Sequence, residues 1–73
     1  MTRIPALTSR EFVAALKRAG YTETGQKGSH LILKHSKRPT VIVPIHAQDP
    51  HRGLMLRLIK QAEFAAHEFI ELL

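Results

Sequence analysis

The segment Gln26-Lys27-Gly28-Ser29-His30 brings a lysine and a histidine together around two small residues. An imidazole can take a proton from a 2′-hydroxyl or give one to a leaving oxygen, and an ammonium group can stabilise the negative charge of a phosphate. Together these groups meet the chemical needs of RNA-backbone cleavage without a metal ion. From these residues alone, a solvated turn histidine with no catalytic role is the commoner case.

Length and composition restrict the classes of protein to which the chain can belong. It has 73 residues, no cysteine and a formal net charge of +5, so it has neither a disulfide framework nor a thiolate metal site. We expect one domain over residues 1–73. Without a signal-peptide pattern or a run of about 18 apolar residues, we expect it to be cytoplasmic. The charge suits phosphate-rich or acidic partners, although a basic domain without such a partner is an open alternative.

Helix signals occupy both ends of the chain. Thr8-Ser9-Arg10-Glu11 is a capping-box sequence, and the pattern that follows predicts helix one over residues 9–19. Asp49-Pro50 predicts the start of helix two. Residues 64–73 are predicted to be helical again, either as an extra C-terminal helix or as a continuation of helix two. The predicted inward faces of these last two helices comprise Leu54, Met55, Leu58, Ile59, Ala62, Phe69, Ile70 and Leu73.

Between the helices, the sequence pattern is typical of strands. Residues 21–27, 30–34 and 40–45 are predicted strands, and residues 35–39 a loop. Gly28-Ser29 is predicted to be a two-residue hairpin turn, with glycine first as a type II′ turn requires. The order α-β-β-β-α predicts an α+β fold, in which helices cover one face of a three-stranded antiparallel sheet.

The predicted turns determine which side chains share a face of the sheet. Lys27 should lie opposite His30, Ile32 opposite Ile42, and His30 opposite Pro44. These residues would then form the open face of the sheet. The opposite, helix-covered face would carry Leu31, Leu33, Val41 and Val43.

One consequence of this register is unfavourable. It places Thr24 and Gln26, two polar residues, on the helix-covered face. Either the first strand is an edge strand or its register is shifted by one residue.

The chain resembles the HicA (YcfA-like) family of mRNA interferase toxins, which belong to prokaryotic type II toxin-antitoxin systems. The resemblance covers nearly the whole chain, and the Lys-Gly-Ser-His turn is its most specific part. The matching segments are Leu7-Thr8-Ser9, Ala19-Gly20-Tyr21, Gln26-Lys27-Gly28-Ser29-His30, Val43-Pro44-Ile45-His46, Gln61-Ala62 and Glu68-Phe69-Ile70-Glu71-Leu72-Leu73.

The resemblance implies a fold like that of the double-stranded-RNA-binding domain and metal-independent cleavage of mRNA. It also implies neutralisation by a HicB antitoxin, through which any oligomer would be built, and no cofactor. The family's catalytic histidine corresponds to His30, with Gly28 and Ser29 matching the supporting turn. The chain departs from the family at Glu63 and Ala65, where a glycine and a serine are usual.

Other basic side chains are candidates for contacts with RNA phosphates. A histidine in a loop, or a cation on a surface, more often has no such role. We nevertheless predict an RNA-binding set that comprises Lys34, Lys37, Arg38, Arg52 and His46. The histidines lack the spacing of a helical ligand pair, so no metal site is expected. Tyr21 is the only aromatic residue not assigned to the core.

Two further classes of function remain open at this stage. A non-catalytic RNA-binding module would keep the basic surface and need no histidine chemistry. A protein-interaction domain would dock an acidic partner on the same surface. For a toxin, that partner would be the antitoxin, which we expect either to cover His30 or to block the approach to it over the apolar spot formed by Ile32 and Ile42.

Overall fold

The computed structural model describes residues 5, 7–45 and 52–73, without the side chain of Arg52. Its sheet has the strand order β1-β2-β3, and both pairings are antiparallel. The predicted α-β-β-β-α arrangement is therefore confirmed. Asp49-Pro50, the predicted start of helix two, lies outside the described residues. The elements are α1 (Ser9–Arg18), β1 (Thr22–Lys27), β2 (His30–Lys34), β3 (Val41–Pro44), α2 (Arg52–Gln61) and α3 (Ala66–Ile70).

The predicted capping box begins α1. The Glu11 N–H donates to Thr8 Oγ1 at 3.0 Å, and the Thr8 N–H donates to Glu11 Oε1 at 2.8 Å. The hydrogen bonds from Thr8 to the carboxylate lower the pKa of Glu11. The stabilisation of the folded state by the ionised Glu11 carboxylate is therefore present above the ordinary carboxyl pKa and is lost as the pH falls through the lowered value.

A turn around Gly20 ends α1 and holds His35. Gly20 has a φ of +106°, and a Cβ added there would lie 3.0 Å from His35 Nε2. The imidazole joins two segments, since its Nδ1 accepts from the Lys37 N–H at 2.9 Å and its Nε2 lies 3.1 Å from the Ala19 carbonyl oxygen. Because Nδ1 accepts, Nε2 carries the hydrogen. His35 is thus a structural histidine.

The core lies between the helices and one face of the sheet, and α1 and α2 pack chiefly against β3. The four predicted core residues of β2 and β3 are all buried. Burying an aliphatic or aromatic side chain contributes about 1.5–3 kcal/mol, so this layer drives folding. The side chains that are at most 2% exposed include Phe12, Leu16, Leu33, Val41, Val43, Met55, Ile59 and Phe69.

Two features keep the polar residues of β1 out of the core. The strand contains a bulge, and it lies at an edge of the sheet. Gly25 lies opposite Ile32, but Glu23 lies opposite Leu33, so Thr24 is an extra residue in the ladder. The predicted register is confirmed at the hairpin end. Thr24 and Gln26 are both exposed, because β1 is an edge strand and the helices pack mainly over β3.

The helices α2 and α3 are separate. Glu63 has a φ of +65°, and the Phe64 N–H donates to the Ile59 carbonyl oxygen at 3.0 Å, as in a glycine-ended helix. Phe69 is buried against Phe12, with 5.0 Å between ring centroids. The predicted inward position of Leu73 is wrong, because α3 ends at Ile70 and Leu73 is 44% exposed.

Candidate active site

The turn that carries the Lys–His pair is held by hydrogen bonds on both sides. Gly28 has a φ of +61°, whereas Ser29 is outside the left-handed region, as in a type II′ turn. Gln26 Nε2 donates to the Gly28 carbonyl oxygen at 3.0 Å. The Ile45 N–H donates to the Ser29 carbonyl oxygen at 2.7 Å. The turn is therefore fixed to its own strand and to β3.

Lys27 and His30 are direct partners across this turn. Side chains at opposite positions of an antiparallel pair share a face, with Cβ atoms about 4.5–5.5 Å apart. Both residues are exposed. A phosphate group that approaches the open face can therefore reach an ammonium group and an imidazole at once.

An apolar spot borders this pair on the same face. His30 lies opposite Pro44, and Ile32 lies opposite Ile42, as the sequence predicted. Ile42 is 47% exposed, and Ile32 and Pro44 are partly exposed. We call Lys27, His30, Ile32, Ile42 and Pro44 the open-face cluster.

Ser9 supports the cluster from the helical side, a role that the sequence reading did not assign to it. The side chain is 8% exposed, and its Oγ donates to the Pro44 carbonyl oxygen at 3.1 Å. Because Pro44 is the cross-strand partner of His30, the start of α1 is tied to the strand position beside the candidate catalytic residue. The sequence signal for this contact is a small hydroxyl residue directly after the N-cap of α1.

The predicted RNA-binding residues occupy different environments. Lys34 and Lys37 are exposed, Lys34 at the end of β2 and Lys37 in the loop that follows. His46 and the side chain of Arg52 lie outside the described residues. The structure therefore brings Lys34 to the same sheet face as His30, two positions beyond Ile32 on β2.

Arg38 is held by intramolecular contacts. Its Nη1 donates to the carbonyl oxygens of Ala62 and Glu63 at 3.1 and 2.9 Å. Its guanidinium lies 3.9 Å from the centroid of the Phe64 ring. These contacts satisfy two carbonyl groups that directly follow α2 and fix the chain between α2 and α3.

An open surface cavity of about 340 Å³ lies at the other end of β2 from His30. Ala19, His35, Lys37, Arg38 and Glu63 line it. Both ring nitrogens of His35 and the Nη1 of Arg38 already bond to the protein. None of the lining residues belongs to the open-face cluster, so the cavity is separate from that cluster.

Tyr21 belongs to the core, so the sequence-based prediction that left it outside the core is wrong. It is 3% exposed, and its hydroxyl donates to the Pro39 carbonyl oxygen at 2.7 Å. Burial raises the pKa of this phenol. The ring also lies 5.0 Å from the His35 ring. Because it is buried, the Tyr21 ring is not available to stack on a base.

Within residues 5, 7–45 and 52–73, no three His, Asp or Glu side chains are grouped so that they could hold a metal ion. No helix in that part of the chain is long and apolar enough to cross a membrane.

The fold and the site define a small, basic α+β protein with a sheet face that its helices leave open. A family model, described as the HicA toxin of bacterial toxin-antitoxin systems, matches residues 9–64. This match covers more than half of the 73 residues, and the chain belongs to that family. It is thus a toxin of a toxin-antitoxin system, and an antitoxin partner follows from that membership. No curated protein matches the chain.

Proposed function

We propose that the protein is a metal-independent endoribonuclease that cleaves mRNA and is neutralised by a HicB antitoxin. The observation that carries the proposal is the direct pairing of two exposed residues, Lys27 and His30, across a fixed hairpin turn. Family membership supports the toxin function. The resemblance of the Lys-Gly-Ser-His turn to the family's catalytic turn supports the chemistry.

In the proposed reaction, the 2′-hydroxyl oxygen of one nucleotide attacks the adjacent phosphorus atom. The bond between phosphorus and the 5′-oxygen breaks, which leaves a 2′,3′-cyclic phosphate and a free 5′-hydroxyl. His30 either removes the proton from the 2′-hydroxyl or gives one to the departing 5′-oxygen. Water or a second side chain transfers the other proton.

The proposed role of Lys27 follows from its charge and position. The pentacoordinate phosphorus centre carries more negative charge on its oxygens than the starting diester does. An ammonium group beside His30 stabilises that charge most strongly in the transition state. Lys34, on the same face, would contact a neighbouring phosphate and position the strand.

Inhibition by the antitoxin is proposed to use the same face. Ile32 and Ile42 provide exposed apolar area, and Lys27 and Lys34 provide positive charge. An acidic and apolar segment placed there would exclude RNA from His30. Hydrogen–deuterium exchange of β2 and β3 would decrease on antitoxin binding; unchanged exchange there would overturn this part of the proposal.

The reaction itself is tested by incubating defined RNA with the purified protein in EDTA. We expect cleavage without added metal, and fragments that end in a 2′,3′-cyclic phosphate. Salt-sensitive binding that leaves the RNA intact would instead favour the non-catalytic RNA-binding module. Cleavage that requires a divalent ion, or fragments that begin with a 5′-phosphate, would also contradict the proposal.

A further inference from the structure

The solvent-facing side of α2 carries cations that the described protein does not use. Arg57 and Lys60 are exposed, and neither side chain has a hydrogen-bond or ion-pair partner among the described residues. They are three positions apart on a helix, so their Cβ atoms are about 5–6 Å apart. Leu56, four positions before Lys60, is 36% exposed on the same side. We call Leu56, Arg57 and Lys60 the α2 patch.

Three other cations, Lys17, Arg18 and Arg38, are engaged by the protein itself, whereas the exposed side chain of Arg10 on α1 has no partner among the described residues. Lys17 forms an ion pair with Glu23 at 3.4 Å, and Arg18 Nη1 donates to the Leu72 carbonyl oxygen at 2.6 Å. Arg38 closes the end of α2. The α2 patch therefore differs from these surface charges, because folding leaves two neighbouring cations beside an exposed leucine without internal compensation.

The position of the patch argues against contact with the RNA at the cleavage site. Met55, Leu58 and Ile59 bury the inner side of α2, which packs against β3. The patch therefore points away from the sheet face that carries His30. A helix is about 10 Å across, so the width of α2 and the sheet itself lie between the two surfaces.

The composition of the patch favours a protein partner. Sequence-specific recognition of single-stranded RNA usually relies on stacking on aromatic side chains, and the patch contains none. An exposed aliphatic residue framed by two cations fits a segment with an apolar side chain and carboxylates on either side. The family supplies one partner of the right class, the antitoxin.

We infer that the α2 patch is a second docking surface for the antitoxin and binds an acidic segment around an apolar anchor at Leu56. This inference rests on the proposed inhibition by an antitoxin. It adds a contact site that lies apart from the open-face cluster. The antitoxin thereby gains affinity from a surface that RNA bound at His30 does not occupy.

The test compares two double charge reversals of equal size. In one variant Arg57→Glu is combined with Lys60→Glu, and in the control Arg10→Glu is combined with Lys17→Glu on α1. The Kd for the cognate antitoxin is measured by calorimetry at two salt concentrations, and metal-free RNA cleavage is measured for each free toxin. Thermal unfolding verifies that both variants fold. A Leu56→Ala variant, which leaves the charges in place, tests the apolar anchor.

We expect the α2 variant to bind the antitoxin about ten- to a hundredfold more weakly, with a reduced salt dependence. Leu56→Ala should also weaken binding, while the α1 control and the cleavage rates stay close to wild type. An unchanged Kd in the α2 variant overturns the inference, and so does loss of RNA cleavage, which would make the patch an RNA contact. If wild-type toxin neither cleaves RNA nor is inhibited, the proposed function has failed instead.

Discussion

Lys27 and His30 form the pair that closes the hairpin between β1 and β2, and both side chains are exposed on the sheet face opposite the helices. The turn between them is fixed by a glycine with positive φ and by hydrogen bonds from Gln26 and Ile45. This relationship places a charge and a proton carrier side by side without burial of either. It is the basis of the proposed chemistry.

Replacing Lys27 by alanine should reduce the RNA cleavage rate by about ten- to a hundredfold, because it removes charge stabilisation of the transition state. Lys27→Arg should retain part of the activity. Single-turnover cleavage in EDTA measures both. Lys34→Ala serves as the control, since a contact with a neighbouring phosphate should mainly weaken binding. Equal losses for the two lysines would remove the special role of Lys27.

Replacing Arg38 by alanine should lower the free energy of unfolding by about 1–3 kcal/mol, because its charged hydrogen bonds to the carbonyl groups of Ala62 and Glu63 are lost. RNA affinity should change little, which differs from the role predicted for Arg38 from sequence. Urea unfolding and RNA binding are measured side by side. Lys37→Ala, the neighbouring exposed cation, should show the reverse pattern. A stable Arg38→Ala variant with weak RNA binding would restore the sequence-based role.

The buried phenol of Tyr21 makes folding sensitive to alkaline pH. Its pKa is raised by burial, so the folded state keeps the proton after the unfolded chain has lost it. The contribution of the protonated Tyr21 phenol to the free energy of unfolding is complete below about pH 10 and falls as the pH rises towards the raised pKa. Tyr21→Phe should lose about 1 kcal/mol at pH 7, and its disadvantage should shrink above pH 10. Urea unfolding at both pH values provides the test; a constant difference would contradict it.

Glu63 occupies a left-handed position that glycine adopts without steric strain. Glu63→Gly should therefore raise the free energy of unfolding by about 1 kcal/mol. Glu63→Ala is the matched control, because it removes the same carboxylate but keeps the Cβ and should give no such gain. Chemical denaturation measures both variants. A gain of equal size in the alanine variant would show that charge, rather than backbone strain, is responsible.

Much of the fold could be predicted because local signals and side-chain alternation agree. The capping residues Thr8 and Glu11 mark the start of α1, and the Gly28-Ser29 turn sets the register that places His30 opposite Lys27 and Pro44. Once that register is set, the period of two in a strand determines both faces of the sheet.

The features that escaped prediction depend on tertiary contacts. Gly25, a glycine inside a strand, is a general signal of a bulge, but it does not by itself place the extra residue at Thr24. The end of α2 was obscured because Glu63 stands where glycine is usual, and its strained backbone is supported by Arg38 from a distant loop. Contacts between residues far apart in sequence likewise decided the roles of Tyr21 and Ser9.

The central claim is that His30 carries a proton in RNA cleavage, and a comparison of histidine variants tests it most directly. The single-turnover cleavage rate in EDTA is measured for wild type, His30→Ala and His67→Ala, the last being an exposed histidine on α3. We predict that His30→Ala loses activity by about a hundredfold or more, with RNA affinity and unfolding temperature nearly unchanged, and that His67→Ala cleaves like wild type. Cleavage by folded His30→Ala at the wild-type rate would contradict the account.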